Sequence, residues 1–224
     1  MLNKSKGNMY PWVDATWNVI KGKCPHDCSY CYMKRYPQSE LHFDEKEMRV
    51  KLGHHNFIFV GSSCDIWAQD ICQSWIAKIL KKCRDDDVYN KWLFQSKNPE
   101  RFYDWIGFFP DDTILGCTIE SNRFITGTAP SPLQRYEAMR NIAYPKMISI
   151  EPIIDFDLEE MVHWIKDIAP AFVSIGADSG NNNLPEPPAN KVKALIEELQ
   201  GFTEVKIKDN LKRIMLGGRF GKVD

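Results

Sequence analysis

Three cysteines, Cys24, Cys28 and Cys31, lie within one eight-residue stretch of the segment KGKCPHDCSYCY. Thiolates are soft ligands that favour iron–sulfur clusters, zinc or copper. A cubane cluster has four irons, so three cysteines leave one iron open to another ligand. The spacing C-x3-C-x2-C therefore predicts a metal centre, and a [4Fe-4S] cluster is the favoured occupant.

A zinc site is the alternative, with His26 or a more distant residue as the fourth ligand. Zinc motifs usually contain two ligand pairs, and no second cysteine or histidine pair at a zinc-ligand spacing follows in the sequence. His26 stands between the first two cysteines, where coordination is sterically awkward, and His42, His54 and His55 reach the triad only if the chain folds back. In this alternative the protein is a zinc-stabilised binding module without catalysis.

Short apolar segments that end in small or polar residues alternate with segments of helical spacing, which predicts an α/β fold. Several apolar runs, such as FIFV and MISI, are continuous, as expected of parallel strands covered on both faces. The predicted strands are 16–21, 56–61, 91–95, 113–119, 146–150, 171–175 and 204–208. The predicted helices are 70–83, 99–106, 131–142, 158–168 and 188–200. Six or seven such units predict a partial, open (β/α)6 barrel of the TIM type, because a closed eight-unit barrel typically needs about 250 residues.

Composition is that of an ordinary soluble protein, with 43% hydrophobic and 26% charged residues among 224. We expect one domain over 1–224, no membrane segment and a cytoplasmic location, since no secretory signal is apparent. Reducing cytosol disfavours disulfides, so the seven cysteines favour metal binding or catalysis. The net charge of −1 gives no sign of a broad nucleic-acid-binding surface.

The pattern C-x3-C-x-aromatic-C after the first strand resembles the signature of the radical S-adenosylmethionine (SAM) superfamily, with Tyr30 as the aromatic residue. The segments IFVGSSCDIWA, WLFQSKNPERF, ILGCTIESNR, MISIEPIID and FVSIGADSG are similar to those of a phage- and prophage-associated radical SAM-like family of unknown function. That family is distantly similar to spore photoproduct lyase. The resemblance implies a barrel of the radical SAM type with a [4Fe-4S] cluster and SAM as cofactors.

The resemblance implies that Tyr30 lies near the SAM adenine, whereas packing of the cysteine loop is its structural alternative. Superfamily members use the end of the second strand for the SAM amino group, which makes Ser62 and Asp65 candidates. Helix capping is the alternative for Asp65. Glu120 is suited to the ribose hydroxyls and Arg123 to the SAM carboxylate, unless either forms a surface ion pair.

Further polar residues end strands at the predicted barrel mouth. Glu151 and Asp178 are candidate SAM or substrate ligands, because a carboxylate there is costly unless it is paired or binds something; a structural Lys or Arg partner is the alternative. Lys97, and less so Lys206 and Lys208, are candidates for a substrate phosphate or carboxylate.

Cys64 also ends a strand and is a candidate hydrogen-atom donor, although buried free cysteines most often pack the core. Cys117 has strand parity opposite to Glu120, so it faces the helices if Glu120 faces the barrel interior.

These expectations describe an enzyme that reductively cleaves SAM to a 5′-deoxyadenosyl radical and abstracts hydrogen from an unidentified substrate. A reductase or a flavodoxin-type protein is the expected electron donor. The distant likeness to a DNA-repair lyase suggests a nucleotide or nucleic acid as substrate, and the location is the host cytoplasm if the protein is phage-encoded.

Replacing Cys28 with alanine separates the two metal hypotheses. With a cluster, we expect Cys28→Ala to abolish SAM cleavage; with structural zinc, we expect it to unfold the protein. Assay of 5′-deoxyadenosine together with circular dichroism distinguishes the outcomes, and a variant that keeps both fold and SAM cleavage contradicts both hypotheses.

Overall fold

The structure is a computed structural model that describes residues 2–7, 9–86, 89–125 and 127–216. The single-domain prediction over 1–224 also includes residues 1, 8, 87–88, 126 and 217–224, which lie outside the described residues.

The described chain contains one eight-stranded sheet and one short two-stranded ribbon. In chain order the strands are β1 (Asn3–Lys4), β2 (Ala15–Trp17), β3 (Ile20–Lys21), β4 (His42–Phe43), β5 (Phe57–Val60), β6 (Lys91–Ser96), β7 (Thr113–Thr118), β8 (Lys146–Ile150), β9 (Phe172–Ile175) and β10 (Glu204–Ile207). The large sheet has the order β1-β2-β5-β6-β7-β8-β9-β10, and β3 pairs with β4. All its pairs are parallel except β1 with β2. Within the described residues its two edge strands, β1 and β10, do not pair with each other, so the sheet is open.

Four α-helices lie in the connections between parallel strands, and a fifth follows the last strand. They are α1 (Gln73–Asp85), α2 (Pro132–Arg140), α3 (Leu158–Ile168), α4 (Ala189–Gln200) and, after β10, the short α5 (Lys212–Met215). Short 3₁₀ helices cover Tyr32–Arg35, Glu47–Arg49, Pro99–Trp105 and Asp209–Leu211. The fold-class prediction is confirmed: the sheet is mostly parallel and carries its helices in the manner of a partial TIM-type barrel.

Alternation along the strands divides their side chains between two faces. On the outer face Ile58, Trp92, Leu115, Ile148 and Val173 pack with the helices in the main core. On the other face, which we call the inner face, a smaller apolar cluster includes Phe59, Leu93, Ile114, Met147 and Phe172. Cys117 is buried in the main core on the helix side, as its strand parity predicts.

The segment before β2 covers the apolar part of the inner face, towards the amino-terminal ends of the strands. Tyr10 and Val13 belong to its apolar cluster, and Trp12 packs against it. Trp12 stacks on Tyr10 with ring centroids 4.6 Å apart and meets Phe172 edge-on at 4.8 Å. The Tyr10 hydroxyl donates to Ser149 Oγ at 2.8 Å. This segment therefore closes one end of the open sheet with aromatic side chains.

Two predicted elements differ in the structure. The predicted strand 16–21 divides into β2 and β3, because Asn18 leaves the sheet and accepts bonds from the Ser62 hydroxyl and the Ser63 amide. The predicted helix 99–106 is the 3₁₀ helix Pro99–Trp105.

No helix among the described residues is both long enough and apolar enough to cross a bilayer.

α2 begins with the pair Ser131-Pro132, and serine followed by proline is a pattern typical of a helix N-terminus. Ser131 Oγ accepts from the Gln134 amide at 3.3 Å, and Gln134 Oε1 accepts from the Ser131 amide at 2.8 Å, which forms a capping box. Asp157 precedes α3 but its side chain makes no capping bond there.

Loss of this cap should destabilise the fold. We expect Ser131→Ala to lower the free energy of unfolding by about 1 kcal/mol, because a helix amide loses its acceptor. Urea unfolding measures the change, and Ser131→Thr, which keeps the hydroxyl, should retain most of the stability. Equal losses in the two variants would show that the hydroxyl does not act as the cap.

Candidate metal and cofactor site

The cysteine triad lies in the long connection between β2 and β5, at the carboxyl ends of the parallel strands. Cys24, Cys28 and Cys31 are all partly exposed free thiols. The loop has little regular structure, since only the 3₁₀ helix that begins at Tyr32 follows the third cysteine. Its thiols are therefore positioned mainly by contacts to other elements.

A buried pair between His26 and Asp65 holds the loop to the sheet. His26 Nε2 lies 2.8 Å from Asp65 Oδ2, and both side chains are nearly inaccessible. Asp65 Oδ2 also accepts from Ser96 Oγ at 2.9 Å and from the Lys97 amide at 2.8 Å, while Oδ1 accepts from the Trp67 amide. Burial raises the pKa of the Asp65 carboxyl, but the bond and charge of His26 outweigh it and lower the pKa overall. Asp65 thus connects the cysteine loop to the ends of β5 and β6.

Cys64 lies against the triad. The interaction of the two thiols lowers the pKa of Cys24 to about 6 and raises that of Cys64. The nearby backbone amides of His26 and Asp65 also act to lower the pKa of Cys24. Cys64 is buried in the main core, and Cys24 packs against this core. Its role as a hydrogen-atom donor stays a prediction.

The donor set fits a cluster better than a single ion. Three thiols on one loop, with sulfur protected by amide and thiol donors, suit iron–sulfur ligation. In the part of the chain that the structure describes, no three His, Cys, Asp or Glu side chains converge to hold one metal ion. The His26 Nε2 atom, considered above as a zinc ligand, is bonded to Asp65 instead. A cubane needs no such convergence, because each iron takes its own thiolate.

Glu120, at the end of β7, is the centre of a second buried network. Its Oε1 atom accepts from the Tyr30 hydroxyl and the Lys97 ammonium, and Oε2 accepts from Arg135 Nη1 at 2.7 Å. The side chain of Glu120 is 0% exposed. Lys97 Nζ also lies over the ring of Tyr30, 5.2 Å from its centroid. The network therefore joins the cysteine loop to β6, β7 and α2.

The charges of this network reinforce one another. Burial raises the pKa of the Glu120 carboxyl, but Lys97 and Arg135 overcome it and bring the pKa to about 2. Burial lowers the pKa of the Lys97 ammonium, but the negative groups around it, Glu120 first among them, raise it by more. The pKa of Lys97 is therefore raised overall. Burial raises the pKa of Tyr30, which keeps its hydroxyl a donor. Carboxylate, ammonium and guanidinium are all charged at neutral pH.

Glu151, at the end of β8, pairs with Lys208 after β10. Lys208 Nζ lies 2.8 Å from Glu151 Oε1, and both groups are largely buried. Gly176 on the neighbouring strand leaves space for this carboxylate, because a β-carbon there would stand 2.9 Å from Glu151 Cδ. The structural lysine partner considered for Glu151 is thus present. Lys206 pairs with Glu204 on its own strand.

Arg123 and Asp178 contact protein groups at the rim. Arg123 pairs with Asp155 and Asp157 in a partly exposed cluster, the surface ion pair considered above as its alternative. The Asp178 carboxylate accepts from the amides of Gly180 and Asn182, and so shapes its own loop. Their predicted contacts to SAM stay predictions.

The structure brings Tyr30, Lys97 and Glu120 into direct contact. Asp65 directly follows Cys64 in the chain. Ser62 is partly exposed, and its hydroxyl donates to Asn18 Oδ1 at 3.2 Å. The residues missed as functional candidates are His26, considered only as a zinc ligand, and Arg135. An arginine inside a predicted helix carries no local signal of burial, so the role of Arg135 is visible only through the fold.

No protein-family model and no curated protein sequence matches the chain. Solved structures do. Spore photoproduct lyase complexed with dinucleoside spore photoproduct matches with a TM-score of 0.64 at 11% identity, over 91% of this chain and 78% of that one. A variant of that lyase with bound AdoMet and dinucleoside spore photoproduct matches with a TM-score of 0.64 at 12% identity, over the same shares. At this identity the likeness shows the fold alone.

The Glu120 network should make the free energy of unfolding depend on pH in the acid range. The folded-state pKa of Glu120 is about 2, below its ordinary value of 4.5, so its contribution to stability is fully present above pH 4.5 and is lost as the pH falls towards 2. The shift corresponds to roughly 3 kcal/mol. Urea unfolding measures the effect. Wild type should lose this part of its free energy of unfolding as the pH falls from 4.5 towards 2, and Glu120→Gln should not.

Asp209→Asn is the matched control for this measurement. Asp209 pairs with Lys212, but its side chain is 94% exposed, so its effect should be small and should vanish in high salt. Parallel pH profiles of wild type and Glu120→Gln would contradict the assignment of the Glu120 charge.

Proposed function

We propose that the chain is a radical SAM enzyme that binds a [4Fe-4S] cluster through Cys24, Cys28 and Cys31. When bound, the cluster supplies the electron that cleaves SAM to methionine and a 5′-deoxyadenosyl radical, which abstracts hydrogen from a substrate. The observation that carries the proposal is the loop itself: three thiols, at the spacing of the superfamily signature, held at the carboxyl ends of an open parallel sheet.

The surroundings of the loop support this proposal. Buried His26 and Asp65 fix the loop against the sheet, and the Cys64 thiol protects the Cys24 sulfur. Partly exposed polar groups at the ends of the strands, including Ser62, Lys97 and Glu151, offer contacts for a polar cofactor. Ligands of open α/β sheets bind outside the carboxyl ends of the strands. Fold likeness to spore photoproduct lyase agrees with this location by analogy.

The substrate belongs to the same proposal. The neighbouring lyase structures contain a dinucleoside photoproduct, which favours a nucleotide or nucleic acid as the class to examine first. Membership of the phage-associated family, a reductase or flavodoxin-type electron donor and a cytoplasmic location are further parts of the proposal. We retain as hypotheses the predicted SAM contacts, which are those of Tyr30, Ser62, Asp65, Glu120, Arg123, Glu151 and Asp178.

Anaerobic reconstitution with iron and sulfide tests the proposal. We expect a brown protein with about four irons per chain, as one [4Fe-4S] cluster requires, that produces 5′-deoxyadenosine from SAM under dithionite. Chromatography of the reaction products and iron analysis measure the two outcomes.

Cys72→Ala is the matched control, because Cys72 is an exposed cysteine at the start of α1, away from the triad. It should keep both iron and SAM cleavage, whereas Cys31→Ala should lose them. A colourless wild-type protein with one zinc per chain would contradict the proposal and favour the zinc-stabilised module.

A further inference from the structure

The network around Glu120 contains more positive than negative charge. Lys97 and Arg135 are two cations that share one carboxylate, which gives the three groups a formal charge of +1. Their side chains are 15%, 4% and 0% exposed for Lys97, Arg135 and Glu120 respectively. A buried excess charge is costly unless an opposite charge lies close to it.

The cysteine loop is the neighbour of this excess charge. Lys97 Nζ lies over the ring of Tyr30, which stands between the second and third cysteines. The Lys97 amide donates to Asp65, which holds His26 between the first and second cysteines. Arg135 bonds to the other Glu120 oxygen and also donates to the carbonyl oxygens of Thr118 and Pro130. The ammonium of Lys97 is therefore the member of the network placed on the loop.

The other nearby carboxylate already has its own partners. Asp65 takes bonds from His26, Ser96 and the amides of Lys97 and Trp67. It also influences the pKa of Cys24, the first cysteine of the loop. Glu120 is thus the carboxylate that contacts the Lys97 ammonium and fixes its position.

We propose that the Lys97 ammonium, positioned by Glu120 and Arg135, is the counter-charge of the cluster held by the three cysteines and sets its reduction potential; this rests on the function proposed above. A [4Fe-4S]²⁺ cluster with three thiolates carries a charge of −1 and becomes more negative on reduction, and net charge is one determinant of cluster potential. A fixed cation next to it stabilises the reduced form. Lys97 then acts as a positioning and tuning residue, where the sequence suggested a substrate contact.

Charge substitutions of opposite sign test this assignment. Lys97→Gln removes a positive charge and Glu120→Gln removes a negative one, so their effects on the cluster potential should have opposite directions. At the wild-type midpoint we expect Lys97→Gln to reduce the ratio of reduced to oxidised cluster about tenfold, equivalent to about −59 mV for one electron. Glu120→Gln should increase that ratio. Redox titration followed by electron paramagnetic resonance measures both, without SAM, so that a lost SAM contact cannot cause the shift.

Two controls keep the test decisive. Tyr30→Phe removes a donor to Glu120 without changing charge and should shift the potential less than either variant. Lys97→Arg keeps the charge and should restore the wild-type potential, which also decides the matter if Glu120→Gln does not fold. Unchanged potential in Lys97→Gln, equal shifts in Lys97→Gln and Lys97→Arg, or shifts of one sign in both glutamine variants would overturn the inference. A wild type that binds no cluster would instead overturn the proposed function.

Discussion

Two buried carboxylates, Asp65 and Glu120, tie the candidate site together. Each lies just after a central parallel strand, and each accepts three or more bonds from donors on other elements. A charge without partners at these positions would be very costly, so burial forces the donors to gather around each carboxylate. Because His26 and Tyr30 are among those donors, the same electrostatic requirement brings the cysteine loop onto the ends of the strands.

The inner face of the sheet changes from apolar to charged along the strand direction. Its apolar layer, towards the amino-terminal ends of the strands, is filled by Tyr10 and Trp12 from the segment before β2. Next come neutral polar groups, where Tyr10 bonds to Gln95 and Ser149. The ion pairs of Glu120 and Glu151 lie at the mouth. Parallel pairing produces these layers, since every strand places the same end on the same side. An open sheet without the N-terminal segment would expose the apolar layer to water.

The sequence was sufficient for most of the fold and for part of the site. Continuous apolar strands, the cap at Ser131 and the cysteine spacing are local patterns, and the parallel sheet, α2 and the loop follow them. The pairing of strand-end charges is not local. Glu120 and Arg123 are both predicted to contact SAM, and nothing in either residue's local sequence shows that one is the centre of a buried network and the other a partner of Asp155. Which cation reaches which carboxylate depends on strand order and helix placement, which single-sequence patterns do not determine.

The cysteine loop is held from three directions. Asp65 binds His26 from the β5 side, the Thr128 hydroxyl donates to the carbonyl oxygens of Pro25 and His26, and Arg35 donates to the Ser179 carbonyl of the loop after β9. A chain segment with so little regular structure must lose much conformational freedom to hold three thiols in place. Here the surrounding strand-end loops supply that order, and the three contacts just described use side chains and backbone oxygens rather than a cysteine sulfur. The triad can therefore remain available for ligation while its backbone stays fixed, which is the arrangement that a preorganised metal site requires.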